Sequence, residues 1–140
     1  YIDTKSATGF INIKKTSEGL KFVIRQGDTG SVKIVLKRLY NEKTLWILLR
    51  LYGIGPNYNK NITRIYKNQS LPNGLTYALN PSLVRISSDK EYIVTLIIST
   101  DPDIKTGVYK LNIEATSIYY DSRAHIESTS ISIILEIIPK

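Results

Sequence analysis

The residues able to do chemistry are few. The single histidine, His125, lies in the polar stretch DSRAH (residues 121–125) beside Asp121. A Ser-His-Asp relay needs that imidazole within hydrogen-bond reach of both partners, and no Gly-x-Ser-x-Gly elbow presents a serine. His125 therefore reads as a solvated loop residue. Cysteine is absent, which removes thiol catalysis, a disulfide frame, cysteine-based zinc sites and type I copper. Asp101 and Asp103 bring two carboxylates to one loop, with Asp121 a third candidate, whereas calcium takes about six to eight oxygens. A turn built on Asp-Pro-Asp is the better reading, and Asp28 in QGDTG (residues 26–30) reads the same way. No glycine-rich phosphate loop opens a helix. The expectation is a chain that is not an enzyme, with no catalytic residue, metal or cofactor.

Binding chemistry is better represented. The stretch TLWILLRLY (residues 44–52) alternates two apolar rows. Leu45, Ile47, Leu49 and Leu51 form a core row. The opposite row, Trp46, Leu48, Arg50 and Tyr52, should be polar if it faced water on an antiparallel sandwich. Apolar surface carrying Trp, Tyr and Arg is typical of an interface. Ile134 and Ile138 are expected to join it if the central and last strands share a sheet. The alternative is that the long insert GIGPNYNKNITRIYKNQS (residues 53–70) or the N-terminal strand covers this row. Exposed aromatics also stack on sugar rings, so Trp46, Tyr52, Tyr58 and Tyr66 are candidates for a carbohydrate platform. The same insert interleaves Tyr58, Lys60, Arg64, Tyr66 and Lys67, a pattern single-stranded nucleic acid uses. It carries no module signature, and nucleic acid is not the expected partner. Asn61 and Asn68 open two sequons, which are glycosylation sites only if the chain is exported.

The elements that must position these groups are strands. Residues 10–15, 20–25, 31–37, 44–52, 92–99, 107–115 and 130–138 read as strands, with an apolar row recurring at a two-residue period. Gly, Pro, Asn and Asp cluster between them, as in LPNG (residues 71–74) and TDPDIKTG (residues 100–107). Such spacing predicts an all-β, immunoglobulin-like antiparallel sandwich of about seven to nine strands. Residues 1–8 are expected to be a flexible tether or an edge, and residues 9–140 one domain. Gly107 leads into Tyr109, which precedes the core position Leu111. That is the pattern of a tyrosine corner, whose hydroxyl bonds nearby backbone.

The order of the turn and core residues Gly27, Pro72, Gly74, Pro81, Ser82, Gly107 and Tyr109, across residues 26–138, resembles the immunoglobulin-like modules of archaeal and bacterial surface proteins. The NPCBM-associated sandwich domains of extracellular glycosidases belong to that group. The resemblance implies a spacer, a carbohydrate-associated domain or a cell-envelope contact, and fold alone does not choose among them. More loosely, the chain is similar to the ectodomain of archaellum stator proteins. That likeness implies a domain outside the membrane, held by an anchor and gripping the surface layer.

The net charge of +7 is uneven: +9 over residues 1–70 and −2 over residues 71–140. A basic half steers a protein towards anionic surfaces, while lysines set singly on alternating positions also serve solubility. No run of about 18 or more apolar residues is present, so no helix of this sequence spans a bilayer. Methionine is absent even at position 1, so the chain is expected to start after a removed segment or to be the soluble part of a longer, anchored protein. Abundant Ile, Tyr, Lys and Asn without Cys or Met fits a hot or oxidising habitat and an archaeal source. Together these features lead to the expectation of a non-catalytic extracellular module of an envelope or appendage protein. Its partner would be a protein such as the surface layer, or a second copy of itself. The alternative is a carbohydrate-binding accessory domain of a secreted glycosidase.

Overall fold

The computed structural model describes residues 1–37, 45–58, 71–86, 91–120 and 124–140. Ten strands are described: β1 (Ile2–Thr8), β2 (Asn12–Thr16), β3 (Gly19–Arg25), β4 (Thr29–Leu36), β5 (Leu45–Ile54), β6 (Leu75–Asn80), β7 (Leu83–Ile86), β8 (Tyr92–Thr100), β9 (Gly107–Tyr120) and β10 (Ala124–Ile138). They form a four-stranded sheet, β1-β4-β8-β6, and a six-stranded sheet, β2-β3-β10-β9-β5-β7. Two sheets face to face over one apolar core make an immunoglobulin-like β-sandwich.

The alternation seen in sequence sets the inner faces. Val32 and Ile34 of β4 meet Val94, Leu96 and Ile98 of β8 on one side of the core. Phe22, Ile24, Ile47, Leu49, Leu51, Leu111, Ile113, Ile133, Leu135 and Ile137 fill the other, all buried. Phe10, in the link between β1 and β2, stands edge-on to Phe22 with ring centroids 5.0 Å apart. It seals the side of the sandwich where the two sheets exchange strands.

Residues 2–8 take the edge position that the sequence allowed beside a tether, as a strand whose register on β4 shifts between Asp3 and Thr8. Ser6 bridges that irregularity: its Oγ donates to Asp3 O and accepts from Lys33 N. Residues 75–86 make two strands on different sheets, β6 pairing with β8 and β7 with β5. Against the sequence expectation, the ladder is not wholly antiparallel, since β3 runs parallel to β10.

The turns are tied together at one end. Thr100 Oγ1 lies 2.9 Å from Asp28 O, and Gln26 Nε2 donates to Ile104 O at 2.6 Å. Asp28 N closes on Arg25 O, and Ile104 N on Asp101 O. These bonds make Asp28 and Asp101 turn residues, and Asp103 is an exposed neighbour in the same loop. Ile104 plugs the core beneath them at 3 % exposure.

Candidate functional site

Strands β5, β9 and β10 share the six-stranded sheet, and Trp46, Leu48, Arg50, Tyr52, Ile134 and Ile138 all fall on its outer face. Register separates them. Trp46 pairs with Ile118 at one end of β9, while Ile54, eight residues along β5, pairs with Lys110, which pairs in turn with Ile134. At about 3.3 Å per residue, Ile134 lies roughly 26 Å along the strands from Trp46. Polar rows fill the interval, with Arg50 beside Glu114 and Tyr52 beside Asn112. The six residues therefore do not form one contiguous apolar patch.

Exposure divides them as well. Leu48 is 41 % exposed and pairs across the ladder with Leu83, 49 % exposed. Trp46 is half-buried, and the Arg85 guanidinium lies 5.8 Å from the centre of its ring. Tyr52 and Ile134 are buried, and Ile138 is half-buried. Leu83 and Arg85 complete this end of the face. Sequence reasoning missed them because only the β5–β7 pairing reveals their side.

Between the two ends sits a buried carboxylate. Glu114 is 3 % exposed although it points outward from β9. Tyr52 Oη and Thr116 Oγ1 each lie 3.4 Å from one of its oxygens, and the Arg50 guanidinium stacks over the Tyr52 ring at 5.8 Å. This packing explains why Tyr52 is unavailable as a stacking surface. Trp46, Tyr52 and Tyr58 thus do not assemble a coplanar aromatic platform. Tyr66, the sequons at Asn61 and Asn68, and Lys60, Arg64 and Lys67 lie outside the described residues. His125 lies on β10 opposite Tyr119, and its side chain is outside them too. No group of three metal-ligating side chains occurs among the described residues.

At the far end, residues 55–58 turn back across the sheet. Asn57, at φ 56°, donates its N–H to Val108 O at 2.7 Å and accepts Val108 N–H on its Oδ1 at 3.3 Å. Gly55 permits this course, because a Cβ there would fall 2.2 Å from the Tyr109 ring. Tyr58 then reaches the β2–β3 turn, where its hydroxyl donates to Glu18 Oε2 at 2.9 Å. Burial first, then that hydrogen bond and the carboxylate's charge, push the Tyr58 hydroxyl up to about 12. Beneath Tyr58 a cleft of about 330 Å³ opens, lined by the β2–β3 turn, Lys21, Asn57, Val108 and Ile134. Lys21 is paired with Glu136 at 3.0 Å.

Tyr109 is 1 % exposed, and its hydroxyl donates to Lys105 O, four residues upstream, at 2.6 Å. Burial raises its ionisation above the ordinary phenol range. Gly107, at φ 136°, has Asn57 Oδ1 2.8 Å from where a Cβ would stand. It clears the path by which residues 55–58 dock. On the opposite sheet, Lys37 pairs with Glu91 at 3.2 Å and stands over the Tyr1 ring, while Lys33 is exposed.

No family model and no curated protein matches the chain. Among solved structures it is similar to the periplasmic chaperone SfaE, with a TM-score of 0.44 and 12 % identity over 84 % of this chain. The match takes in 53 % of the chaperone, so this chain spans about half of that protein's length.

Proposed function

We propose that the chain is a non-catalytic extracellular module of a cell-envelope or surface-appendage protein, acting by presenting one end of its six-stranded sheet to a protein partner. The observation that carries this reading is the exposed Leu48–Leu83 cross-strand pair, flanked by Trp46 under the Arg85 guanidinium. Water gains nothing from two leucines side by side on a ladder, and a partner that covers them recovers their burial. Trp and Arg are the residue types that dominate interface energetics when desolvated. The patch is small, so it anchors a contact whose rim is polar, as non-obligate interfaces are. An archaeal surface-layer protein is the partner we favour, and a second copy of the chain is the simplest alternative occupant.

The experiment is sedimentation of the purified domain with isolated envelope protein, comparing the parent with Leu48→Glu and Leu83→Glu. Co-sedimentation by the parent that survives moderate salt and disappears in both variants supports the reading. Equal co-sedimentation by all three proteins removes this face from the contact.

A further inference from the structure

We propose that the cleft under Tyr58 is a binding site for a single neutral pyranose ring, such as the terminal sugar of an envelope glycan. This goes beyond the protein contact above and uses the opposite end of the same sheet face.

The cleft is built and held. Asn57 ties its upper lip to β9 by two hydrogen bonds. Its outer lip is the tight β2–β3 turn, where Thr16 Oγ1 donates to Gly19 O and accepts Glu18 N–H. Tyr58 spans the two lips, and its bond to Glu18 fixes the ring as a wall. A wall fixed before binding costs little ordering when the ligand arrives.

The lining selects the ligand class. Val108 and Ile134 supply an apolar floor, which suits the C–H face of a sugar ring but not a fully polar ion. Hydroxyl groups both donate and accept. They therefore match a lining with a carboxylate acceptor (Glu18), amide donors (Asn57 Nδ2) and ammonium donors (Lys21). Charge argues against an anion, because Glu18 and Glu136 offset Lys21 at the rim. A volume of about 330 Å³ is at the small end for ligand sites, which favours one ring over an extended chain.

The test is an amide NMR titration of the folded domain with methyl glycosides of glucose, mannose, galactose and N-acetylglucosamine, with inorganic phosphate as a parallel probe. The expected result is saturable shifts for at least one glycoside. They should be centred on residues 16–21, 57–58, 108 and 134, with none at Leu48 or Leu83. Glu18→Ala should weaken that binding about tenfold, the factor carried by one hydrogen bond to a charged group, and Tyr58→Ala should weaken it at least as much by removing the wall. Both variants should keep the parental amide spectrum away from the cleft. Absence of saturable shifts with every glycoside overturns the proposal, as do shifts with phosphate alone or glycoside shifts unchanged in both variants. Shifts centred on Leu48 and Leu83 also overturn it, and they would place the sugar on the face assigned above to the protein partner.

Discussion

At the scale of single residues, two tyrosines with different duties make the first tests. Tyr109 buries its ring and holds Lys105 O with its hydroxyl. Tyr109→Phe keeps the ring and removes one buried hydrogen bond, so it should lower stability by about 1 kcal/mol, read as a lower denaturation midpoint. An unchanged midpoint would remove the corner from the list of stabilising contacts. Tyr58 makes a pH prediction. Its hydroxyl ionises near 12 in the folded chain against 10.0 for a free phenol, so folding favours the neutral form. That contribution is complete below pH 10 and is lost as pH climbs towards 12. Tyr58→Phe should remove one late-ionising group from the tyrosinate absorbance titration and make the alkaline loss of stability shallower in that window. Superimposable curves would mean that the bond to Glu18 is open in solution. The two residues also mark the limit of legibility. Gly107 and Tyr109 could be read because a tyrosine corner is local, its donor and acceptor four residues apart. The Tyr58–Glu18 pair spans forty residues, and no local spacing announces it. The burial of Glu114 was hidden for the same reason, since it depends on side chains from the neighbouring strand.

At the scale of elements, β5 offers an internal control. Leu48 and Leu49 are adjacent and chemically identical, yet one is 41 % exposed and the other 3 %. Leu49→Ala should destabilise by about 2–5 kcal/mol, through lost transfer energy and the cavity left behind. Leu48→Ser should stay within about 0.5 kcal/mol of the parent. Thermal or denaturant unfolding of the pair checks both, and comparable losses would mean that the outer face is packed like the core. The two-residue period made this alternation readable, along with the inner rows of β4, β8 and β9. It could not supply register, and register is what separates Ile134 from Trp46. It also understated the last hairpin. β9 and β10 pair from Gly107–Ile137 out to Tyr120–Ala124, well beyond the apolar segments 107–115 and 130–138. Thr116 and Thr129 are good strand formers, but beside Ser117 and Ser128 they make no apolar alternation and so give no periodic signal.

At the scale of the whole molecule, the uneven charge of the sequence becomes an uneven charge in space. Residues 1–37 contain seven Lys/Arg and three Asp/Glu, and they form β1, β2, β3 and β4. These strands occupy the same side of the two sheets, joined across the core by Phe10 and by the Arg25–Asp28 turn. The basic side is therefore lateral to the Leu48–Leu83 pair, and its β2–β3 turn and Lys21 form one lip of the Tyr58 cleft. Lys21 and Lys37 are already paired with Glu136 and Glu91, while Lys14 and Lys33 stand exposed on different sheets. Steering by such charges acts through solvent and weakens once the screening length falls to about 10 Å near 0.1 M salt. The double variant Lys14→Glu, Lys33→Glu should therefore lose sedimentation with anionic lipid vesicles at low salt, and added salt should abolish the parent's vesicle binding. Leu48→Glu adds one negative charge far from this side and should retain most of the vesicle binding while losing the envelope-protein contact. If the lysine variant instead loses the envelope-protein contact at moderate salt, the partner reads charge rather than the leucine pair, and the docking face belongs on the β1–β4 side.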